Sequence, residues 1–291
     1  MCLEQKKYEL LKDDTVNHNG RTLYRIKALI TFGTVVAGEL GGYIETEKNL
    51  DHSGNAWVCG NARVFEDARV YEDAEVFGNA EVFGNAEVLG NAEVYEDAEV
   101  FGNAEVFGNA RVCGNARVFE DARVYGNARV YSNARVFEDA EVYGNAEVYE
   151  DAEVFGNAEV FGNARVRCYA RVFEDARVFE DAEVYGNAEV YGNADVLGNA
   201  EVFGNARVYG NAQVRSFAFI YERKMIFWAS NVGSENGTLT VFNGKDGLIV
   251  TRGCFTGTVD EFMERSKQVH DDKTHHEYKL LIEVAKSRIL G

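Results

Sequence analysis

Four arginines and one tyrosine stand close together late in a repetitive part of the chain. They are Arg165, Arg167, Tyr169, Arg171 and Arg177. Guanidinium groups clustered beside an aromatic ring can bind a phosphate-bearing ligand, because guanidinium donates paired hydrogen bonds to phosphate oxygens. The alternative is a solvated face on which each arginine pairs with a neighbouring glutamate. We take these five residues as the candidate ligand-binding residues.

Catalytic chemistry has few candidate residues in this sequence. Residues 54–215 contain neither histidine nor lysine, and no insertion builds a pocket there. Histidine-dependent acyl transfer and a three-histidine zinc site therefore have no residues in this region. The polar candidates elsewhere, interpreted as structural, are Ser234, Asn236, Cys254, His270, His275 and His276. We predict no catalytic residue, no cofactor and no metal, and hence a protein that is not an enzyme.

The region that carries the arginines is one uninterrupted six-residue repeat. Residues 54–215 form 27 hexads, of which seventeen begin Gly-Asn and eight begin Glu-Asp. The third residue is Ala and the fifth is Val in all 27, while the sixth is aromatic in 21. This alternation is typical of a short strand with Ala and Val on one side. Because Asn and Asp tolerate a left-handed backbone, we expect the corner at the second residue and no positive φ at the first.

A strand of this length must stack with its neighbours, which predicts a solenoid. Ala and Val suit a narrow interior that an aromatic ring could not enter, so the rings face outward. Hexads of strict period six resemble the left-handed parallel β-helix, in which three hexads form one triangular coil. The 27 hexads then give nine coils over a length of roughly 43 Å. Runs of Arg and Glu at the fourth residue predict alternating basic and acidic bands.

Stacking at a spacing of 18 residues sorts the sixth residues of the hexads into three columns. One column, here column 1, is aromatic throughout: Phe65, Phe83, Phe101, Phe119, Phe137, Phe155, Phe173, Tyr191 and Tyr209. Stacked rings stabilise neighbouring strands. An apolar strip of this length also exceeds the patch that monomers usually expose. We therefore predict a homo-oligomer whose interface includes the seven phenylalanines of column 1.

An open solenoid leaves unpaired strand edges at both ends, so caps are expected there. Residues 1–53 are predicted to form an N-terminal cap with two strands around the turn at 17–20, and Leu50 already occupies an inward position. Residues 54–215 form the repeat domain. Residues 216–291 are predicted to form a small α+β domain with three strands, the first over 217–229, and two helices. The second helix is predicted to carry one apolar stripe, formed by Tyr278, Leu281, Ile282, Ala285 and Ile289. Thr258 with Glu261, and Thr274 with Glu277, are the predicted helix-capping boxes.

A family resemblance rests on the segments that flank the hexads. The segment 31–58, with its Gly-Gly-Tyr-Ile and Gly-Asn-Ala-Trp-Val motifs, resembles uncharacterised bacterial and phage hexapeptide-repeat proteins. The tail, especially Gly-Cys-Phe-Thr-Gly-Thr at 253–258, resembles a C-terminal module of phage and prophage members. The resemblance covers nearly the whole chain. It implies a β-helix of phage or mobile-element origin and no established activity.

Composition excludes several classes of protein. The net charge of −18 argues against general binding of nucleic acid or of anionic membranes. The repeats hold 30 acidic and 13 basic residues, and 16 of the acids lie in Glu-Asp corners. Five scattered cysteines, including Cys2, suit reduced thiols in a bacterial host cytoplasm, and no apolar run predicts a membrane span. The sequence predicts a non-enzymatic β-helical scaffold, with sequestration of an anionic small molecule, such as a nucleotide signal, as the alternative.

Overall fold

Each hexad contains a short β-strand that begins at its fourth residue, as the alternation of side chains predicts. A computed structural model describes residues 6–291 of the chain. These residues fall into two units, the first ending at Glu150 and the second running from Asp151 to Gly291. The protein is mainly β, and each unit contains a parallel β-solenoid.

The first unit begins with an antiparallel hairpin and continues as a solenoid. Strands β1 and β2 pair around a turn at Asn19 and Gly20, as predicted, and β2 also pairs with β3. The strands of this unit are β1 (Tyr8–His18), β2 (Arg21–Ala28), β3 (Leu40–Ile44), β4 (Trp57–Val58), β5 (Arg63–Val64), β6 (Arg69–Val70), β7 (Glu75–Val76), β8 (Glu81–Val82), β9 (Glu87–Val88), β10 (Glu93–Val94), β11 (Glu99–Val100), β12 (Glu105–Val106), β13 (Arg111–Val112), β14 (Arg117–Val118), β15 (Arg123–Val124), β16 (Arg129–Val130), β17 (Arg135–Val136), β18 (Glu141–Val142) and β19 (Glu147–Tyr149). A 3₁₀ helix, Glu47–Asn49, lies between β3 and β4.

Three parallel sheets form the walls of the first solenoid. Their orders are β3-β5-β8-β11-β14-β17, β4-β7-β10-β13-β16-β19 and β6-β9-β12-β15-β18. Paired residues in the repeats are 18 apart, as in Glu99 with Glu81 and Arg117 with Arg135. Three hexads therefore make one turn, as predicted.

The second unit continues the hexads and ends in a sheet with two helices. Its elements are β20 (Glu153–Val154), β21 (Glu159–Val160), β22 (Arg165–Arg167), β23 (Arg171–Val172), β24 (Arg177–Val178), β25 (Glu183–Val184), β26 (Glu189–Val190), β27 (Asp195–Val196), β28 (Glu201–Val202), β29 (Arg207–Val208), β30 (Gln213–Val214), β31 (Phe219–Ile220), β32 (Ile226–Val232), β33 (Gly237–Gly244), β34 (Gly247–Arg252), β35 (Phe255–Thr258), α1 (Val259–Val269) and α2 (Asp272–Leu290). A 3₁₀ helix, Arg223–Met225, precedes β32. Strands β32–β35 form an antiparallel sheet, and neither α-helix within residues 6–291 has the length and apolarity of a membrane span.

The solenoid pairing extends beyond the repeat boundaries predicted from the sequence. Strand β31 pairs in parallel with β28, with Ile220 opposite Val202, so residues 216–221 form one more hexad. At the other end β3 pairs with β5, and Leu50 bridges Val70. With β3 and the Leu50 bridge, β4–β31 amount to 30 strand positions, or about ten turns. The left hand of the helix stays a prediction.

The interior contains the small residues that the sequence assigns to it. Every third-position Ala and fifth-position Val of the repeats is at most 1% exposed. Beneath the N-terminal hairpin, Leu23 and Tyr43 pack with Phe65. In the C-terminal part, Leu239 and Val250 of the sheet pack with Tyr278 and Ile282 of α2. The predicted inward stripe of α2 is thereby confirmed.

The left-handed corner lies at the first residue of each hexad, and the expectation that placed it at the second was wrong. Glycine at this position has φ near +70°, and Glu66 and Glu96 have φ of 62° and 61°. At four corners (Glu66, Glu72, Glu96 and Glu120) the carboxylate accepts the backbone N–H of the first residue in the next turn, at 2.8–2.9 Å. This bond offsets the cost of a left-handed non-glycine residue, about 1–2 kcal/mol.

The second residue of the hexad serves a hydrogen-bond ladder. The Asn85 amide donates to Asn103 at 2.9 Å, and the Asn103 amide donates to Asp121 at 2.9 Å. Because a carboxylate has no N–H to pass on, a ladder of this kind stops at an Asp. The preference for Asn and Asp therefore comes from side-chain pairing between turns.

Polar side chains close the first turn of the solenoid. The Lys7 ammonium donates to the carbonyl of Ala56 at 2.9 Å, lies 4.9 Å from the Phe32 ring centroid, and is 1% exposed. Burial lowers the pKa of Lys7 from 10.5 to about 8. The Asn49 amide likewise donates to the carbonyl of Ala68 at 2.9 Å. The N-terminal cap thus satisfies carbonyl groups at the open edges of β4 and β6.

The C-terminal sheet closes the last turn with hydroxyl groups. The N–H of Gln213 donates to Thr240 Oγ1 at 3.0 Å, and Thr251 Oγ1 donates to the carbonyl of Gln213 at 2.7 Å. The Asn243 amide donates to the carbonyl of Phe219 at 2.9 Å. Strands β30 and β31, which end their sheets, therefore have partners for their outer edges.

One of the two predicted helix caps is confirmed. Thr258 and Glu261 exchange side-chain to backbone hydrogen bonds at the start of α1. The predicted cap at Thr274 is wrong, because α2 begins one turn earlier and Asp271 accepts the Thr274 N–H at 2.8 Å. Asp and Thr are both favoured N-cap residues, so the residue types alone do not decide between Asp271 and Thr274.

The cysteines of the described residues are free. Cys59, Cys113 and Cys168 are partly buried and Cys254 is exposed. Cys2 lies outside the described residues.

The corner glutamates predict an order of stability among substitutions at Glu96. Glu96→Gly removes the bond to the Gly114 N–H and also the left-handed Cβ, whereas Glu96→Ala removes only the bond. We expect the alanine variant to be less stable than the glycine variant by about 1 kcal/mol. Urea unfolding followed by circular dichroism measures the difference. Equal stability of the two variants contradicts this account of the corner.

Buried Lys7 predicts a pH dependence of stability. Between pH 8 and the ordinary lysine pKa of 10.5 the unfolded chain binds more protons than the folded chain. Stability should therefore rise with pH, by about 2 kcal/mol from pH 8 to pH 10. The measurement is the unfolding free energy of the wild type minus that of Lys7→Met, which cancels the titration of other groups. A difference that stays flat over this interval rejects the shift.

Candidate interaction surfaces

The rings of column 1 stack face to face along the solenoid. In the first unit the centroids of Phe83 and Phe101 are 4.8 Å apart, and those of Phe101, Phe119 and Phe137 follow at 4.9 Å. In the second unit Phe155, Phe173 and Tyr191 stack at 4.9 and 4.8 Å. Successive planes differ by at most 7° in these runs. Each of these residues stays partly exposed.

The first ring of column 1 is covered by the chain itself. Phe65 is 3% exposed, because His18 at the tip of the β1–β2 hairpin lies against it with centroids 5.1 Å apart. Val16 of the same hairpin packs against this cluster. Among the predicted interface residues of the first unit, the accessible row is therefore Phe83, Phe101, Phe119 and Phe137.

Charged residues at the fourth position pair across turns where an acidic band meets a basic band. Arg117 Nε lies 2.8 Å from Glu99, and Arg123 lies 3.6 Å from Glu105. In the second unit Arg207 lies 2.7 Å from Glu189. These pairs are partly exposed and each contributes little to stability, about 0–1 kcal/mol. The bands predicted from the sequence are thus joined by ion pairs at their borders.

The five candidate ligand residues do not converge on one place. Strands β22, β23 and β24 carry Arg165, Arg171 and Arg177 and belong to three different sheets, so these side chains leave on different faces. Arg165 and Arg167 do come together, each 3.3 Å from Glu183. The other two arginines pair with acids as well, Arg171 with Glu153 at 3.2 Å and Arg177 with Asp195 at 2.9 Å.

Among the five candidate residues, Arg167 lies against an aromatic ring. Its guanidinium lies 4.1 Å from the Tyr185 ring centroid. Burial and a hydrogen bond to Glu201 raise the pKa of Tyr185 to about 12, so its hydroxyl stays protonated. Tyr169 takes the place of Asn in the corner and is 64% exposed. Arg167 thus covers the Tyr185 ring, while the Tyr169 ring, two residues further along the chain, is open.

A basic cleft in the second unit brings together residues that sequence reasoning did not single out. Its lining residues are Tyr191, Arg207, Tyr209, Arg223, Lys224, Ile226, Phe227, Trp228 and Arg288, around a volume of about 520 Å³. The sequence contained one signal for it, the Arg223-Lys224 pair between two apolar runs. We expected one strand-like segment there, and the 3₁₀ helix Arg223–Met225 interrupts it.

Two of the polar residues of the tail, His275 and Asn236, take structural positions. His275 Nδ1 lies 3.1 Å from Ser266 Oγ, which links α2 to α1. Asn236 has φ of 50° and occupies the turn between β32 and β33. Across residues 6–291 the His, Cys, Asp and Glu side chains form no group of three or more that could hold a metal ion.

The architecture and its surface define a β-solenoid repeat protein. A family model described as YdcK Beta solenoid repeat matches residues 110–124, 122–138 and 200–216. The chain is similar to that family over these repeats, in agreement with the three-sheet solenoid. No curated protein matches the chain.

Proposed function

We propose that this chain is a non-enzymatic scaffold of phage or prophage origin that acts in the cytoplasm of the bacterial host and self-associates through column 1. The solenoid supports a scaffold role, because its surface side chains are occupied by contacts with their counterparts in the next turn. The resemblance of the tail to phage modules supports the origin.

One observation carries the proposal, the accessible row of four phenylalanines in the first unit. A charged row lies beside it on the same sheet, with Glu81 and Glu99 followed by Arg117 and Arg135. Apolar rings flanked by ordered charges form a typical protein interface.

The order of these charges favours an antiparallel two-fold dimer. A two-fold axis between the turns of Phe101 and Phe119 places Glu99 of one copy opposite Arg117 of the other, and the reverse. The same axis places Glu81 opposite Arg135. The row of rings then packs against itself, so the interface is complementary in both shape and charge.

The interface predicts that two substitutions in column 1 yield a monomer. Phe119→Ser with Phe137→Ser removes the exposed rings, and light scattering after size-exclusion chromatography should show the mass of one chain. The matched control is Tyr125→Ser with Tyr143→Ser, which breaks an equivalent stack, at 4.9 Å, on another sheet. A monomeric wild type at micromolar concentration contradicts the proposal.

Charge reversal tests the two-fold arrangement itself. Glu99→Arg and Arg117→Glu should each dissociate the oligomer, and an equimolar mixture of the two variants should re-associate as a heterodimer. Glu105→Arg and Arg123→Glu alter an equivalent pair on another sheet and serve as the control. If the mixture stays monomeric although the Phe119→Ser/Phe137→Ser variant shows that column 1 is needed for association, the two-fold axis does not lie between the turns of Phe101 and Phe119.

We propose as a second candidate function the sequestration of an anionic small molecule, such as a nucleotide second messenger, at arginine-rich surfaces or oligomer seams. The observation that favours it is Arg167 beside Tyr185 and the open Tyr169 ring. A phosphate would compete there with Glu183, which already contacts Arg165 and Arg167.

Sequestration at this cluster predicts that nucleotides raise the melting temperature. Ligand binding to the native state stabilises it, so linear and cyclic nucleotides are added to the wild type and to Arg165→Ala/Arg167→Ala. The shift should disappear in the variant. A shift of equal size in both proteins moves the site away from this cluster.

A further inference from the structure

The basic cleft of the second unit has a charge opposite to that of the whole protein. Four cationic side chains line it, from Arg207, Arg223, Lys224 and Arg288, and no acidic residue is among its described lining residues. The chain as a whole carries −18. Like charges gathered in one concave place repel one another, and a bound anion relieves that repulsion.

Three of the four cations have no acidic partner in the part of the chain that the structure describes. Arg207 pairs with Glu189 at 2.7 Å. Within residues 6–291, Arg223, Lys224 and Arg288 form no ion pair, in contrast to the arginines of the repeats. Their side chains are exposed and free to turn toward a ligand. Arg288 also lies in the last turn of α2, where a cation stabilises the helix end.

Aromatic rings form the other wall of the cleft. Tyr209 stacks on Tyr191 at 5.0 Å, and the Trp228 indole meets Tyr209 edge to face at 4.2 Å. Tyr209 is 40% exposed. Gly210 allows the close approach of the indole, because a Cβ there would lie 2.9 Å from Trp228 Nε1.

We propose that this cleft binds a small ligand that joins a planar ring to phosphate groups, a nucleotide in chemical class. The three unpaired cations contact the phosphates, since guanidinium and ammonium groups bind phosphate oxygens. Tyr209 and Trp228 contact the ring. The volume of about 520 Å³ lies in the range of small-molecule sites.

This proposal rests on the second candidate function, sequestration of an anionic small molecule, and places the ligand at a different site. Every lining residue comes from residues 191–288 of one chain, and none is among the phenylalanines of the proposed interface, although Tyr191 and Tyr209 are the last two rings of column 1. The Arg165 and Arg167 cluster is not part of it.

Trp228 provides a direct signal for the proposed site. The chain has two tryptophans, and the other, Trp57, is buried with an indole N–H that has no hydrogen-bond partner among residues 6–291. Trp57→Phe loses no hydrogen bond to the described residues and keeps an aromatic ring in this packed site, at the cost of a small cavity. In the Trp57→Phe protein all tryptophan fluorescence comes from Trp228. The probes are the four ribonucleoside triphosphates. Adenosine and inorganic triphosphate, the two parts of adenosine triphosphate, are tested separately.

The variants are chosen to leave the fold intact. Arg223→Gln/Lys224→Gln removes two exposed cations of the cleft, and Arg288→Gln removes a third. The matched control is Lys279→Gln/Lys286→Gln, which removes two exposed charges of α2 outside the cleft. Arg165→Ala/Arg167→Ala reports on the other cluster. The melting temperature of each variant is recorded with the fluorescence titration.

We expect at least one nucleoside triphosphate to quench Trp228 saturably, and adenosine or triphosphate alone to bind more weakly. The Arg223/Lys224 variant should raise Kd by about ten-fold or more, and the α2 control should leave it unchanged. Quenching that is equal in the cleft variant and the control overturns the proposal. A ligand can raise the melting temperature without quenching Trp228, and this rise can be lost in Arg165→Ala/Arg167→Ala. That result keeps sequestration as a function and rejects the cleft as its site. If no probe changes either the melting temperature or the fluorescence, both the cleft and sequestration are rejected.

Discussion

The narrow interior of the solenoid is the constraint on which the rest of the structure depends. Within the 27 hexads the inward positions hold only Ala and Val, and all of these are buried. Each turn therefore takes 18 residues and places every side chain beside its equivalent in the next turn. Like then meets like. Rings stack at about 5 Å and amides form ladders, whereas equal charges such as Glu81 and Glu99 also become neighbours, which is unfavourable. Ion pairs at the borders of the bands, such as Arg117 with Glu99, offset part of that repulsion.

The same constraint explains which parts of the fold the sequence could predict. Strands, interior and coil length follow from the period alone, since each depends on the residue types within 18 positions. The sequence prediction placed the corner at the second residue of the hexad because Asn tolerates positive φ. In the structure that Asn instead forms a hydrogen-bond ladder between turns, which the local preference does not indicate. Glu96 at φ of 61° is understood only with the N–H of Gly114 beside it. Residues 216–221 lack the Asn or Asp of the corner, so the last hexad went unrecognised although Ile220 keeps the inward position.

Functional residues were harder to predict, because closeness along a hexad repeat does not mean closeness on the surface. Residues six apart leave on different faces, and residues 18 apart share one. Arg165, Arg171 and Arg177 therefore separate onto three sheets, while Arg165 and Arg167 share Glu183. Column 1 was found correctly as a stack because its spacing is that of the turn. The basic cleft has no such spacing, since it needs the break at Arg223–Met225 and the last turn of α2.

Regular and irregular parts of the chain treat their charges in opposite ways. Inside the repeats the four candidate arginines each lie against a carboxylate, as Arg177 lies against Asp195, because the neighbouring turn supplies a partner 16 or 18 residues away. Where the repeat ends, the described residues supply no such partner, and Arg223 and Lys224 line a cleft with Arg288. A phosphate at the repeats must displace a carboxylate, whereas a phosphate at the cleft fills a place that the described residues leave without an acid. This difference between the two environments is the physical reason for proposing a phosphate-bearing ligand at the cleft rather than at the repeats.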